Sequence, residues 1–322
     1  MELPGRGVTF VRELPGPPGA PAVMLLHGWT ASSALNWFPS FEPLARHFRV
    51  LALDHRGHGR GIRTHQPFRL EDCADDVAAL AAQLGLSQVI AVGYSMGGPI
   101  AMLTWQRHRD LVQGLVLCAT AARFVGRHPT DRLFAQGLVG LSLAANFSPE
   151  KLRQRAMARV VNNRLDGTRF SAWASHELAR NDPAVLLRAG AALGKFDARG
   201  WLAAIDVPTA VVVTKDDQTV PPAHQLALAN AIPGAEVFRV DGDHGVCVAH
   251  AGRFLPVLVD ACQSVAQRSA AAHPDPSPTN AAATYPTGPA TTPTTPTNGT
   301  TPITAESAQR PSGAGPVRPI TT

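Results

Sequence analysis

The chain of 322 residues lacks any long apolar run that is free of charge. A bilayer span needs about twenty such residues, so the sequence predicts no transmembrane helix. Residues 1–7 are followed by no apolar segment of the kind found in signal peptides, so no secretory leader is expected. Both absences favour a soluble, cytoplasmic protein.

Cysteine is scarce. The four cysteines are Cys73, Cys118, Cys247 and Cys262, which lie far apart and form no C-x-x-C pair. This spacing is typical of buried thiols in a reducing compartment, and it favours neither a disulfide framework nor a metal site. The sequence therefore implies no metal and no cofactor.

Runs of basic residues are absent, although the formal net charge is +5. The densest basic group, formed by Arg153, Arg155 and Arg159, has helical spacing and no interleaved aromatic residues. A solvated helix face explains it better than a nucleic-acid surface does. We expect no nucleic-acid partner, and the sequence leaves the oligomeric state open.

Composition divides the chain into two unequal parts. Residues 1–268 are rich in Ala, Val and Leu and can form one sizeable core. Residues 269–322 consist mainly of Thr, Pro, Ala and Ser, and this composition is typical of a disordered tail. We predict one folded domain over 1–268 and a tail over 269–322.

Short apolar runs alternate with helical patterns. Beyond a possible first strand at 8–13, short apolar runs occur at 22–26, 49–53, 88–92, 114–118 and 208–213, and a further strand is expected at 236–240. Such runs are typical of parallel strands that are covered on both faces by helices. The sequence predicts an α/β fold with a mostly parallel central sheet and helices on both faces.

The alternation is interrupted between about residues 121 and 200, where amphipathic helices replace the strands. We predict that this all-helical insertion is a lid. Five of its apolar residues are candidates for contact with a substrate: Phe134, Leu138, Leu141, Phe147 and Trp173. Packing within the lid explains their apolar character equally well.

The segment Gly93-Tyr94-Ser95-Met96-Gly97 joins a predicted strand to a predicted helix. In a nucleophile elbow, a Ser occupies such a turn, and the flanking glycines leave room for its strained backbone. Ser95 is therefore the candidate nucleophile. A Gly-rich connecting turn without chemistry is the alternative, and the strand-turn-helix context disfavours it.

A serine nucleophile needs a histidine base and an acid that orients the base. His244 follows the last predicted strand, and Asp216 and Asp217 follow the strand before it, so either aspartate qualifies by position. His250 is a second candidate base, but it falls inside the predicted final helix. The order Ser, acid, His is typical of one hydrolase architecture.

The loop after the first buried strand, His27-Gly28-Trp29, can direct a backbone N–H at a developing oxyanion. We expect the N–H groups of Trp29 and Met96 to be the two oxyanion donors. Tyr94, Met96 and Trp29 are expected to line the floor of the catalytic pocket.

Together these motifs closely resemble the α/β-hydrolase fold superfamily from about residue 7 to residue 267. The resemblance also covers Asp54-His55-Arg56-Gly57-His58-Gly59, and it selects Asp217 over Asp216 because the family acid stands three residues before a Val-Pro pair. It places the lid between the sixth and seventh strands. An N-terminal edge strand is expected to be absent, since only one strand fits before Ala22.

The resemblance implies a serine hydrolase that cleaves a carboxylic ester of a small molecule with an apolar group. Ser in the elbow argues against the epoxide-hydrolase and haloalkane-dehalogenase branches, whose covalent ester needs a carboxylate. Three alternatives stay open: hydrolysis of C–C bonds or enol-lactones, cofactor-free haloperoxidase-like chemistry, and a receptor that binds ligand with little turnover.

Overall fold

The computed structural model describes residues 1–124 and 169–272. Its strands are β1 Glu2–Leu3, β2 Gly7–Val8, β3 Val11–Leu14, β4 Ala22–Leu26, β5 Arg49–Leu53, β6 Val89–Tyr94, β7 Val112–Cys118, β8 Thr209–Thr214 and β9 Glu236–Val240. Its α-helices are α1 Ser33–Trp37, α2 Phe41–Ala45, α3 Leu70–Gln83, α4 Gly97–Arg107, α5 Arg169–Ala179, α6 Pro183–Lys195, α7 Pro222–Ala231, α8 Val246–Ala249 and α9 Ala251–Ala272.

Seven strands form the central sheet in the order β3-β5-β4-β6-β7-β8-β9. Strand β3 at the edge is antiparallel to β5, and the other neighbouring pairs are parallel. The predicted α/β class with a mostly parallel sheet is confirmed. Because parallel strands end at the same edge of a sheet, the loops after β4, β6, β8 and β9 lie along one edge.

Helices cover both faces of the sheet. Side chains of β4 alternate between two apolar clusters: Met24 and Leu26 join one, and Val23 and Leu25 join the other. Helices α3, α4 and α7 contribute to the first cluster, whereas α1, α2 and α9 contribute to the second. This two-sided burial explains why the central strands read as continuous apolar runs.

The N-terminus differs from the single predicted strand at 8–13. Thr9 interrupts that stretch, because its N–H bonds to the carbonyl of Met1 and its hydroxyl donates to the carbonyl of Asp54 at 2.8 Å. Strands β1 and β2 therefore form a separate two-stranded hairpin, and only β3 precedes Ala22 in the central sheet.

The described part of the insertion is helical, with α5 and α6 separated by a short turn. Asp182 caps α6 by accepting hydrogen bonds from the N–H groups of Ala184 and Val185, and Pro183 occupies the first helical position. The helical insertion is thus confirmed in this part and is consistent with a lid. Residues 125–168 of the predicted lid lie outside the described residues.

The C-terminal helix runs past the predicted domain end at residue 268. Helix α9 continues to Ala272, and the hydroxyl of buried Ser269 donates to the carbonyl of Gln113 at 2.7 Å. The sequence pattern did not indicate this last helical turn, because the side chain that holds it in place is a polar serine. Within the described ranges, none of the helices has the length and apolar character that a bilayer span requires.

Candidate active site

Ser95 lies in a sharp turn between β6 and α4. Its φ angle of 53° belongs to the left-handed region, which a residue with a side chain seldom occupies. The turn is tight: a Cβ on Gly93 would lie 2.2 Å from the carbonyl oxygen of Gly97, and one on Gly97 would lie 2.0 Å from that of Leu26. Glycine is therefore required at both positions, and the turn lifts Ser95 to the carboxyl edge of the sheet.

The structure brings Ser95, His244 and Asp217 together in one line of hydrogen bonds. Ser95 Oγ lies 3.0 Å from His244 Nε2, and His244 Nδ1 lies 2.7 Å from Asp217 Oδ2. Asp216 is exposed, as is His250 at the end of α8, whereas Asp217 is buried. The arrangement can remove a proton from the serine hydroxyl and stabilise the imidazolium that results.

Asp217 is held as a carboxylate by its surroundings. Burial opposes its ionisation, but hydrogen bonds from His244, from the N–H of Val220 and from the hydroxyl of Thr214 outweigh this and lower the pKa of Asp217. The Thr214 hydroxyl donates to Oδ2 at 2.8 Å. The carboxylate that orients His244 is therefore ionised and fixed in position.

The loop after β4 lies directly against Ser95, since a Cβ on Gly28 would be 3.3 Å from Ser95 Cβ. The Gly28 carbonyl accepts hydrogen bonds from His27 Nδ1 at 2.9 Å and from the N–H of Ala31 at 3.3 Å. In a trans peptide the C=O and N–H point in opposite directions, so the N–H of Trp29 faces away from these donors. Within the described part of the chain, the N–H groups of Trp29 and Met96 donate to no protein acceptor.

His27, His55 and His58 pack against each other below this loop, with ring centroids of His27 4.3 Å from His55 and 5.4 Å from His58. His27 Nε2 accepts the N–H of His55 at 2.9 Å, so His27 carries its proton on Nδ1. Burial lowers the pKa of all three, to about 3 for His58. The three histidines belong to two segments of the sequence, His27-Gly28-Trp29 and residues 54–59. Local spacing could not indicate that these two segments meet.

The histidine cluster is not arranged as a metal site. Across residues 1–124 and 169–272, no group of three His, Cys, Asp or Glu side chains has a geometry that could hold a metal ion.

Three side chains expected near a substrate lie elsewhere. That of Met96 is 0% exposed and belongs to the apolar core, so only its backbone can face the pocket. Tyr94 is 3% exposed, and its hydroxyl donates to the carbonyl of His244 at 2.9 Å, so it lies behind the histidine and not on the pocket floor. Trp173 packs edge-to-face on Phe38 with ring centroids 5.4 Å apart, and it lines a surface groove that contains no triad residue. The other four lid candidates, Phe134, Leu138, Leu141 and Phe147, lie outside the described residues.

Comparison with known proteins assigns the family. The sequence profile of the alpha/beta hydrolase fold matches residues 21–251. RutD of Agrobacterium fabrum, a candidate carbamate hydrolase, is 32% identical over 240 residues, which are 73% of this chain and 90% of that protein. The pimeloyl-[acyl-carrier protein] methyl ester esterase of Neisseria meningitidis is 29% identical over 254 residues, which are 77% of this chain and 96% of the esterase.

A solved structure agrees with these sequence matches. The enol-lactonase of Burkholderia xenovorans LB400 superposes with a TM-score of 0.66 and 26% identity, over 79% of this chain and 96% of that one. The chain belongs to the α/β-hydrolase fold family, and the comparisons support a hydrolase.

Proposed function

We propose that the protein is a serine hydrolase that cleaves a carboxylic ester through an acyl-enzyme on Ser95. The observation that carries this proposal is the continuous contact from Ser95 Oγ through the His244 ring to Asp217, at 3.0 and 2.7 Å. The three residues are distant in the chain and come from three different loops. A proton relay to a nucleophile requires such an alignment of a hydroxyl, an imidazole and a carboxylate.

In the first half of the reaction, His244 Nε2 takes the proton of Ser95 while Oγ attacks the carbonyl carbon of the ester. The tetrahedral oxyanion then accepts hydrogen bonds from the N–H groups of Trp29 and Met96. The C–O bond breaks as His244 returns the proton to the leaving alcohol. In the second half, water attacks the acyl-enzyme by the same route and releases the acid.

The ionised Asp217 has a defined part in both halves. It keeps the proton of neutral His244 on Nδ1, so that Nε2 is free to accept the serine proton. It also stabilises the imidazolium through the hydrogen bond at 2.7 Å. A substitution at residue 217 would therefore remove this orientation of His244 as well as the negative charge.

Related acyl bonds use the same groups, and two comparisons favour two further candidate substrates. The RutD relative suggests a carbamate, and the enol-lactonase suggests a cyclic enol ester. Both substrates present a carbonyl carbon to a serine and differ in the leaving group. We expect the lid to select among them, as the triad sets the reaction and what covers it shapes the pocket.

The test is a panel of p-nitrophenyl esters of increasing acyl length, run beside an enol-lactone and an aryl carbamate. Wild type should turn over at least one ester, and a fluorophosphonate should label Ser95 alone, as mapped by mass spectrometry. Ser95→Ala should lose about three or more orders of magnitude in kcat while keeping its Tm.

The matched control is Ser40→Ala, which removes a buried hydroxyl that has no hydrogen-bond partner in the described part of the chain. It should retain both labelling and turnover. Near-normal hydrolysis by Ser95→Ala would overturn the proposal. Labelling of Ser95 without turnover of any substrate would indicate the receptor-like alternative instead.

A further inference from the structure

Asn36 supports the oxyanion loop from below. Its side chain on α1 is buried, and Oδ1 accepts the backbone N–H of Gly28 at 2.8 Å. The next peptide along the loop carries the N–H of Trp29. Because the Gly28 amide is fixed on one side and its carbonyl on the other, the direction of the Trp29 N–H depends on Asn36 as well as on His27.

Tyr94 supports the histidine loop from the same buried layer. It immediately precedes Ser95, and its hydroxyl donates to the backbone carbonyl of His244 at 2.9 Å. The phenol ring packs edge-to-face on Trp37 and Phe254, with centroids 6.0 and 5.7 Å away. Tyr94 thus fixes the position of the His244 backbone. The loop on either side of His244 is exposed at Asp243 and Gly245.

Cys247 lies between these two supports. Its Sγ is 3.7 Å from Asn36 Nδ2, which donates to it. Cys247 also lies close enough to the Tyr94 hydroxyl for each group to affect the pKa of the other. These groups form one polar layer, in which hydrogen bonds join Gly28 to Asn36, Asn36 to Cys247, and Tyr94 to the backbone of His244. It passes beneath Ser95 from the oxyanion loop to the catalytic base.

The side chains of this layer are uncharged. Burial raises the pKa of Cys247 to about 12, and burial together with Cys247 raises the pKa of Tyr94 well above its usual value. Both groups therefore keep their protons and can donate them in hydrogen bonds. The side chains of Asn36, Cys247 and Tyr94 each have a hydrogen-bond partner, which is what a rigid internal support requires.

We infer that Asn36, Cys247 and Tyr94 are positioning residues that hold the oxyanion donor and His244 at a fixed geometry around Ser95. This inference rests on the proposed function. It assigns to the three residues an indirect role in stabilising the transition state. They touch no substrate themselves. Their removal should lower kcat and weaken transition-state binding, with little change in KM.

The experiment compares Tyr94→Phe, Asn36→Leu, Cys247→Ala and Cys247→Ser in the full-length chain. Tyr94→Phe and Asn36→Leu should each lower kcat about tenfold, because each removes the hydrogen bond that holds a loop of the site. KM should stay within about twofold. A boronic acid, which forms a tetrahedral adduct on serine, should bind more weakly by the same factor as kcat/KM falls.

The Cys247 pair remains informative if Asn36→Leu does not fold. Cys247→Ser keeps a group that accepts and donates hydrogen bonds and should retain kcat within about twofold, whereas Cys247→Ala should lose about fivefold. The matched control is Ser269→Ala on α9, which also removes a buried hydroxyl but lies against Gln113 at the start of β7. It should lower Tm and leave kcat unchanged.

The outcomes separate this inference from the proposed function. If wild type neither hydrolyses an ester nor reacts with fluorophosphonate at Ser95, the proposed function fails, and the inference fails with it. If wild type is active but Tyr94→Phe and Cys247→Ala keep full kcat and full boronic acid affinity, only the inference is overturned. Equal losses in Ser269→Ala would also overturn it, because they would indicate general destabilisation.

Discussion

Trp29 Nε1 donates a hydrogen bond to the carbonyl oxygen of Leu186 at 2.7 Å. This bond joins the loop after β4 to helix α6 of the insertion, 157 residues along the chain. The indole also packs against Gly190 on the same helix. The insertion therefore holds the side chain of the residue whose backbone N–H is proposed to bind the oxyanion.

Gly190→Ala tests this contact. A Cβ at residue 190 would lie 2.7 Å from Trp29 Cζ2, so the indole must shift, and the loop that carries it must follow. We expect kcat/KM to fall about tenfold, because a small misplacement of a catalytic group is costly. Steady-state kinetics on the best ester of the panel measures it.

The control for that variant is Gly252→Ala on α9, where an added Cβ meets nothing within 4 Å. It should raise the free energy of unfolding by up to about 1 kcal/mol through helix propensity and leave kcat/KM unchanged. Unchanged activity in Gly190→Ala would mean that the indole contact does not set the position of the loop.

Adjacent acids provide a second comparison. Asp217→Asn should lower kcat by about three to four orders of magnitude, because an amide no longer selects the correct His244 tautomer. Asp216→Asn should stay within about twofold, since that side chain is exposed. Similar losses in the two variants, measured on one ester, would contradict the assignment of Asp217 as the orienting acid.

The lowered pKa values of the buried histidines predict that the folded state loses stability in acid. Because the pKa values of His27, His55 and His58 are lowered in the folded state, the unfolded chain binds more protons below about pH 6.5. Stability is therefore highest above that pH and falls as the pH decreases. Each histidine contributes a slope approaching about 1.4 kcal/mol per pH unit, which urea unfolding between pH 8 and 5 measures.

His55→Leu should remove one third of that slope. Neither ring nitrogen of His55 has a hydrogen-bond partner among the described residues, and its backbone N–H would still bind His27. The variant should therefore unfold at a similar urea concentration at pH 8 and be the more stable protein at pH 5. A slope identical to that of wild type would show that His55 is not buried as a neutral group.

Two truncations locate the C-terminal end of the folded domain. A chain that ends at Ala272 keeps the hydrogen bond from Ser269 to Gln113, whereas one that ends at Arg268 loses it. We expect the shorter chain to be less stable by about 1–2 kcal/mol. Equal Tm values for the two would return the boundary to residue 268.

Local pattern in the sequence was sufficient for much of the sheet and for two of the three proposed catalytic residues. Strands β4, β5 and β9 have the predicted bounds, since each is short and is followed by a polar residue. Ser95 and His244 could be named because each follows a predicted strand, whereas position left Asp216 and Asp217 open and the family resemblance selected Asp217. An error of one residue in such a prediction does not move a loop to another edge of the sheet.

Tertiary structure decided the contacts between distant residues. Tyr94 was expected at the pocket floor, yet its hydroxyl reaches the His244 carbonyl, because strand β6 turns that side chain toward α9 and away from the pocket. The histidine cluster joins the loops after the neighbouring strands β4 and β5, and the link from Trp29 to Leu186 joins a sheet loop to the insertion. Periodicity records which face of an element is buried, whereas the partner that covers it depends on the whole chain.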